Sequence, residues 1–311
     1  MPPEHMLHLP AKGSPAKAAD ARATGAQATD APRVTACALC GGSGVVIAPE
    51  GGQAEAKVCA CSVRCLTCRG AKFLFDKDGE GRELARLCEC EVRRQRIRLY
   101  NEAGIPAKYA DARLHEGKRD KDNKRAFTMF QMFAREYERG HKGIMLMGGA
   151  GVGKTYLLCA CLHELIFRHG VPAQFRDFFH LLSDLRSGYS QDKPESELIQ
   201  PLVDVEVLAI DELGKGRNTP WEQNILDVII SHRYNSRKTT LFTTNYAETK
   251  ATTLKEPLRS KDSAAAQAEV VQDTLLERVG PRIYSRLKEM CDFDLMTGPD
   301  RREAEASGGT Q

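Results

Sequence analysis

The chain has no uninterrupted apolar run of the roughly 18 residues that a membrane-spanning helix needs, so no spanning segment is expected. Its opening stretch, MPPEHMLHLPAKGSPAKAADARATGAQATDAPR, has no continuous apolar core of the kind a secretory signal carries. Net charge is only +3, from 45 basic and 42 acidic residues, so the chain as a whole is not drawn to polyanions. Any nucleic-acid contact would need a local basic cluster. With no export signal, the expected compartment is the cytoplasm, where eleven cysteines are not expected to form disulfides.

Eight of those cysteines lie between Cys37 and Cys90. The remaining three, Cys159, Cys161 and Cys291, sit in apolar surroundings and read as small core residues. Residues 1–35 and 298–311 are rich in small and polar residues and are expected to be disordered tails.

Glycine is concentrated where a regular element would tolerate it least. Met147–Leu158 reads MGGAGVGKTYLL, with Gly148, Gly149, Gly151 and Gly153 directly before Lys154 and Thr155. The spacing Gly148-x4-Gly153-Lys154-Thr155 is a P-loop pattern. A short apolar run, GIMLM, precedes it, and a helix-periodic run from Lys154 to Gly170 follows. Strand, glycine loop and helix in that order make a phosphate cradle. Bare backbone at Gly148, Gly149, Ala150, Gly151, Val152 and Gly153 can turn successive N–H groups inward, and the helix adds its positive end. Lys154 would reach the β- and γ-phosphates of ATP, Thr155 would ligate Mg²⁺, and Tyr156 completes the binding segment.

Three further stretches suit that chemistry. VEVLAIDELG is an apolar strand ending in Asp211 and Glu212, at the strand end where α/β sheets bind ligands. Asp211 would hold the Mg²⁺ shell and Glu212 would polarise the attacking water; the plain alternative is a strand end with solvated acids. TTLFTTNY is another strand, after which Asn245 can hydrogen-bond water and γ-phosphate, or merely close a turn. In LLERVGPRIYSRLKEM, Pro281 suits the first turn of a helix, which places Arg282 and Arg286 on one face. They would either bridge to Glu277 or Glu289, or reach the γ-phosphate of a neighbouring subunit's ATP.

Taken with AGIPAKYADARL (Ala103–Leu114), these segments resemble the AAA+ ATPases of the DnaC and DnaI helicase-loader family, with the IstB transposition helpers as a close cousin. The resemblance spans about Asn101 to Met290. It implies an α/β fold: a P-loop three-layer sandwich around a parallel five-stranded sheet, with no separate helical lid. It also implies that Asn245 is sensor 1, Arg286 the arginine finger and Arg282 a second nucleotide-facing arginine. The polar, Ala-rich stretch 247–274 departs from the compact family core and is expected to be a surface insertion.

The clustered cysteines form an internal repeat. Cys37-x2-Cys40 is followed by Cys59-x-Cys61, and Cys65-x2-Cys68 by Cys88-x-Cys90. Each half holds an apolar segment, a glycine turn and a strand-like return, which predicts a β-hairpin with two thiolate pairs at its base. Four thiolates so gathered suit tetrahedral Zn²⁺, giving two structural ions. An iron–sulfur cluster is the rival, and crossed pairing of the four motifs stays open. The CxxCxG knuckles resemble the zinc region of the DnaJ chaperones, although CxC replaces two of the CxxC motifs. The expected organisation is a zinc-binding hairpin module at 36–91, a helical linker at 92–118 with Arg93, Arg94, Arg96 and Arg98, and an ATPase domain at 119–297.

The resemblance implies an ATPase that loads the replicative DNA helicase. The zinc module would be its helicase-binding arm, single-stranded DNA a candidate partner, and its ATP site shared within a homo-oligomer. One alternative is a transposition helper that delivers a transposase to DNA. Another is a zinc-based chaperone or redox adaptor that only binds nucleotide, a role that would need neither Glu212 nor Arg286.

Overall fold

Each half of the cysteine repeat folds as a hairpin. In the computed structural model, β1 (Val45–Glu50) pairs antiparallel with β2 (Gln53–Val58), and β3 (Phe73–Lys77) with β4 (Glu83–Leu87). The structure describes residues 37–117, 119–248 and 273–302. The expected N-terminal tail, most of the 247–274 insertion (residues 249–272) and residues 303–311 lie outside them.

The two hairpins share a pattern but not a setting. The first is stitched to the chain that follows it. Ala54 N–H donates to Ile105 O at 2.8 Å, and Ala107 N–H to Gly52 O at 3.1 Å. The Asn101 amide accepts from Ala56 N at 2.8 Å and donates to Ala56 O at 3.1 Å. Small inward side chains, Ala54 and Ala56, let β2 join the main core. In the second hairpin only Leu74 packs, against a small cluster of cysteines, while Phe73, Phe75, Leu84 and Leu87 stay exposed.

Helix α1 (Glu89–Glu102) starts inside the last cysteine pair and carries the four arginines. The expected boundary at 91 therefore falls within a helix, and the described residues from Cys37 onward form one compact unit. Helix α2 (Lys124–Arg135) then leads to β5 (Gly143–Met147) and α3 (Lys154–Glu164). A wider π-helical turn, Leu165–His169, extends α3 to Gly170, whose φ of 66° ends it as the sequence predicts. Next come β6 (Ala173–Asp177), α4 (Phe178–Ser190), α5 (Glu195–Asp204) and β7 (Val207–Asp211). They are followed by α6 (Pro220–Asn235), β8 (Thr239–Thr244), α7 (Leu275–Val279), α8 (Pro281–Met290) and β9 (Cys291–Leu295).

The five-stranded parallel sheet expected from the resemblance is present, in the order β6-β7-β8-β5-β9. Alternation along its strands feeds two cores. Ile144, Leu146, Val207 and Ala209 face α1, α2 and α3. Met145, Met147, Leu208 and Ile210 face α4 to α8. Both sheet faces are thus covered, which makes a three-layer sandwich with the C-terminal ends of β5, β7 and β8 along one edge.

Two features carry no local signal in the sequence, and the first departs from what was expected of it. Residues 298–302, expected to begin a disordered tail, lie instead against the glycine loop, where Arg301 N–H donates to Gly151 O at 3.1 Å. Parallel pairing of β9 with β5 delivers this segment to the loop that follows β5. The second is Arg233 of α6, which is 0 % exposed. Its guanidinium donates to Leu202 O and Val205 O, each at 2.8 Å, and to Thr239 O at 2.6 Å. It satisfies the carbonyls at the end of α5, and burial pulls its pKa down to about 10. Replacing it with methionine should leave those carbonyls unpaired and cost roughly 3 kcal/mol, measurable as a lower urea midpoint.

Candidate functional site

The glycine loop leaves β5 and turns into α3 with φ of 147° at Gly148, 76° at Gly151 and 108° at Gly153. Side chains rarely adopt these angles, which is the local reason for the glycines. Lys154, at the first position of α3, is buried. Its ammonium donates to Gly148 O at 2.9 Å, Gly149 O at 2.6 Å and Asn245 Oδ1 at 2.7 Å. Desolvation lowers its pKa to about 8. The side chain thus lies folded over the loop and already touches Asn245.

Thr155 Oγ1 donates to Asp211 at 2.9 Å to Oδ2. Asp211 is buried at the end of β7, which raises its pKa, while hydrogen bonds from Thr243 and Thr155 oppose the rise. Thr243 ties the strand ends together. Its hydroxyl bonds the Asp211 carboxylate and accepts from Glu212 N at 3.0 Å. Glu212 has a φ of 53°, a geometry unusual for a residue with a side chain and costing of order 1 kcal/mol. Its carboxylate pairs with Lys215.

These groups open onto a cleft of about 660 Å³ whose walls include Gly151, Val152, Gly153, Lys154, Thr155, Tyr156, Glu212 and Asn245. Tyr156 is part of that wall, and its hydroxyl donates to Arg113 O at 3.1 Å. Sequence reasoning missed other lining residues, among them Tyr109, Phe127, Thr243, Met296, Arg301 and Arg302. Thr243 was legible, since it lies two residues before Asn245 on an alternating strand. Arg301 and Arg302 carried no local signal.

Arg282 and Arg286 are not among the residues of this cleft. As expected they share one face of α8, and both reach Asp227 of α6, Arg286 at 2.7 Å and Arg282 at 3.5 Å. Arg286 also lies over the Tyr234 ring, 5.9 Å from its centre.

The cysteines gather as two tetrads, Cys37, Cys40, Cys59 and Cys61, and Cys65, Cys68, Cys88 and Cys90, with ligand atoms in each within 4.8 Å of one another. The pairing is uncrossed. Sulfur–sulfur separations are 3.8 Å for Cys37–Cys59, 3.5 Å for Cys40–Cys61, 3.6 Å for Cys65–Cys88 and 3.5 Å for Cys68–Cys90. Tetrahedral Zn–S bonds of about 2.3 Å place sulfurs about 3.8 Å apart. The donor set therefore fits one tetrahedral ion per tetrad rather than a cluster of several irons. Against desolvation, N–H groups such as that of Gly44 and neighbouring thiols hold Cys40 down at about 6. The Cys68 backbone holds Cys65 at about 6 as well. Burial and the same neighbouring thiols push Cys59 and Cys90 the other way, up to about 12, so the sulfurs of each tetrad share protons that a metal, which binds the thiolate form, would displace. Cys159, Cys161 and Cys291 are buried in the core, as the sequence predicts.

Known proteins share features with this chain. The family model for IstB-like ATP binding proteins matches residues 93–258, just over half of it. The Bacillus subtilis uncharacterised protein YqaM is 27% identical over 199 residues, 60% of this chain and 63% of that protein. The Escherichia coli K12 replicative helicase loader DnaC is 25% identical over 121 residues, 39% of this chain and 49% of that protein. The chain thus spans about half to two thirds of the length of these curated relatives. A crystal structure of the DnaC helicase loader superposes with a TM-score of 0.49 at 26% identity, over 61% of this chain and 98% of that one.

Proposed function

We propose, from the premise that the chain belongs to the IstB-like ATP-binding protein family, that it hydrolyses ATP and uses it to load a replicative DNA helicase. The observation that carries the ATPase assignment is the meeting of three strand ends: Lys154 touches Asn245, and Thr155 touches Asp211 beside Glu212. In the proposed division of labour, the loop N–H groups and Lys154 bind the phosphates, and Thr155 and Asp211 hold Mg²⁺. When bound, that ion would neutralise phosphate charge. Glu212 orients the attacking water and Asn245 faces the terminal phosphate. Glu212→Gln should bind ATP normally and hydrolyse it about 10²-fold more slowly, which single-turnover measurement beside a binding titration would check.

The tetrads fit two zinc ions with every thiolate engaged, a role in folding rather than chemistry. Purified protein should contain two zinc per chain by elemental analysis; iron, or no metal in folded protein, would contradict this. The proposed partner surface is the second half of the repeat, where Leu66 of the Cys65–Cys68 knuckle is 88% and Phe75 of the hairpin 68% exposed. The helicase assignment draws on the DnaC relatives; the family match alone would also suit a transposition helper. Affinity capture with full-length protein from its own cells separates the two. Recovery of the replicative helicase is expected, and recovery of a transposase in its place would overturn the loader assignment.

A further inference from the structure

The glycine loop is gripped by the residues after β9. Met296 N–H donates to Met147 O at 2.8 Å, and Met296 O lies 2.1 Å from where a Cβ on Gly148 would sit. Further on, Arg301 takes hold of two successive loop carbonyls. Its N–H donates to Gly151 O at 3.1 Å, and its Nε donates to Val152 O at 2.9 Å. Its Nη1 is fixed in turn by Asp120 Oδ2 at 2.7 Å. Asp300 presses its carboxylate against Gly151, 1.9 Å from where a Cβ there would lie. A side chain at Gly148 or Gly151 would therefore push this strap away as well as strain the loop.

The consequence follows from peptide geometry. In a planar trans peptide the C=O and the next N–H point in opposite directions. Holding Gly151 O and Val152 O on the strap side aims the N–H groups of Val152 and Gly153 away from it. Those are donors that a P-loop offers to the phosphates. Nothing else among the hydrogen bonds described fixes these two carbonyls, because Lys154 takes Gly148 O and Gly149 O instead.

We propose that Arg301 is a positioning residue for the phosphate cradle, fixing the two peptide planes whose N–H groups receive the phosphate oxygens. This rests on the ATP-binding assignment above. The planes serve the phosphates common to ADP and ATP, so loss of Arg301 should weaken both nucleotides alike.

Isothermal titration of the full chain with ADP and with ATP, in Mg²⁺, tests this. Arg301→Ala keeps the backbone N–H to Gly151 O but loses the Nε donor to Val152 O and the pair with Asp120, and should bind both roughly tenfold more weakly. Arg301→Lys, which retains the charge for Asp120 but loses the Nε donor, should recover only part of the loss. Asp120→Asn frees the guanidinium without touching the loop, and should shift both affinities in the same direction by less. It also decides the matter if Arg301→Ala does not fold. Wild-type affinity for both nucleotides in folded Arg301→Ala, with binding lost in Lys154→Ala, would overturn the positioning role and leave the ATP site intact. A wild-type chain that binds neither nucleotide would overturn the ATP assignment, and this role with it.

Discussion

Lys154→Ala is expected to weaken ATP and ADP binding by 10²- to 10³-fold while leaving the protein folded. The ammonium is buried and held by two loop carbonyls and Asn245, and desolvation already lowers its pKa to about 8. Without nucleotide, that charge is a burden on the fold, so its removal should not lower the melting temperature. With nucleotide, the phosphates lose a partner in a partly dry cleft. Removing one member of such a pair costs roughly 3–5 kcal/mol, which at 1.4 kcal/mol per decade gives a loss of about that size. Titration calorimetry and a thermal melt on the same sample check both halves. A variant that binds within a few-fold of wild type would deny the loop its assigned role.

Arg286→Ala should behave in the opposite way, with affinity near normal and hydrolysis lost by about 10³-fold, as when an arginine finger is removed from other P-loop enzymes. Neither Arg286 nor Arg282 lines its own chain's cleft. Both are instead held on Asp227, which sets two guanidinium groups side by side at the surface. Arg282 is 72% exposed and Arg286 21%. A pair fixed in advance, away from its own nucleotide, suits a site completed by a second copy, because the charge arrives only when protomers meet. Steady-state turnover beside a binding titration separates this from a structural role, which would lower both.

What was legible in the sequence was what local chemistry forces. Four glycines before Lys154 have no use in a helix or strand, so their spacing announced the phosphate loop. The apolar run ending in Asp211 read as a strand because buried parallel strands are apolar on both faces. The cysteine spacing predicted hairpins, and hairpin geometry alone brings each set of four sulfurs together. What stayed hidden depends on contacts between residues far apart in the chain. The composition around Arg301 is that of a tail, and its hold on Val152 spans 149 positions. Arg233 looks like any helix-end arginine until α5 and β8 close over it. The repeat predicted two like hairpins, yet only the first has an Asn101 and an Ile105 to receive it. That asymmetry leaves the apolar face of the second uncovered.

The most direct test of a shared ATP-hydrolysing site mixes two variants that are each inactive alone, Lys154→Ala and Arg286→Ala, and measures phosphate release. Where the two assemble, an interface can pair the intact glycine loop of the Arg286→Ala chain with the intact arginine of the Lys154→Ala chain. Partial return of ATPase activity on mixing is the expected result. Co-assembly demonstrated by mass with no return of activity would contradict it, and would leave Arg286 acting within its own chain or holding structure alone.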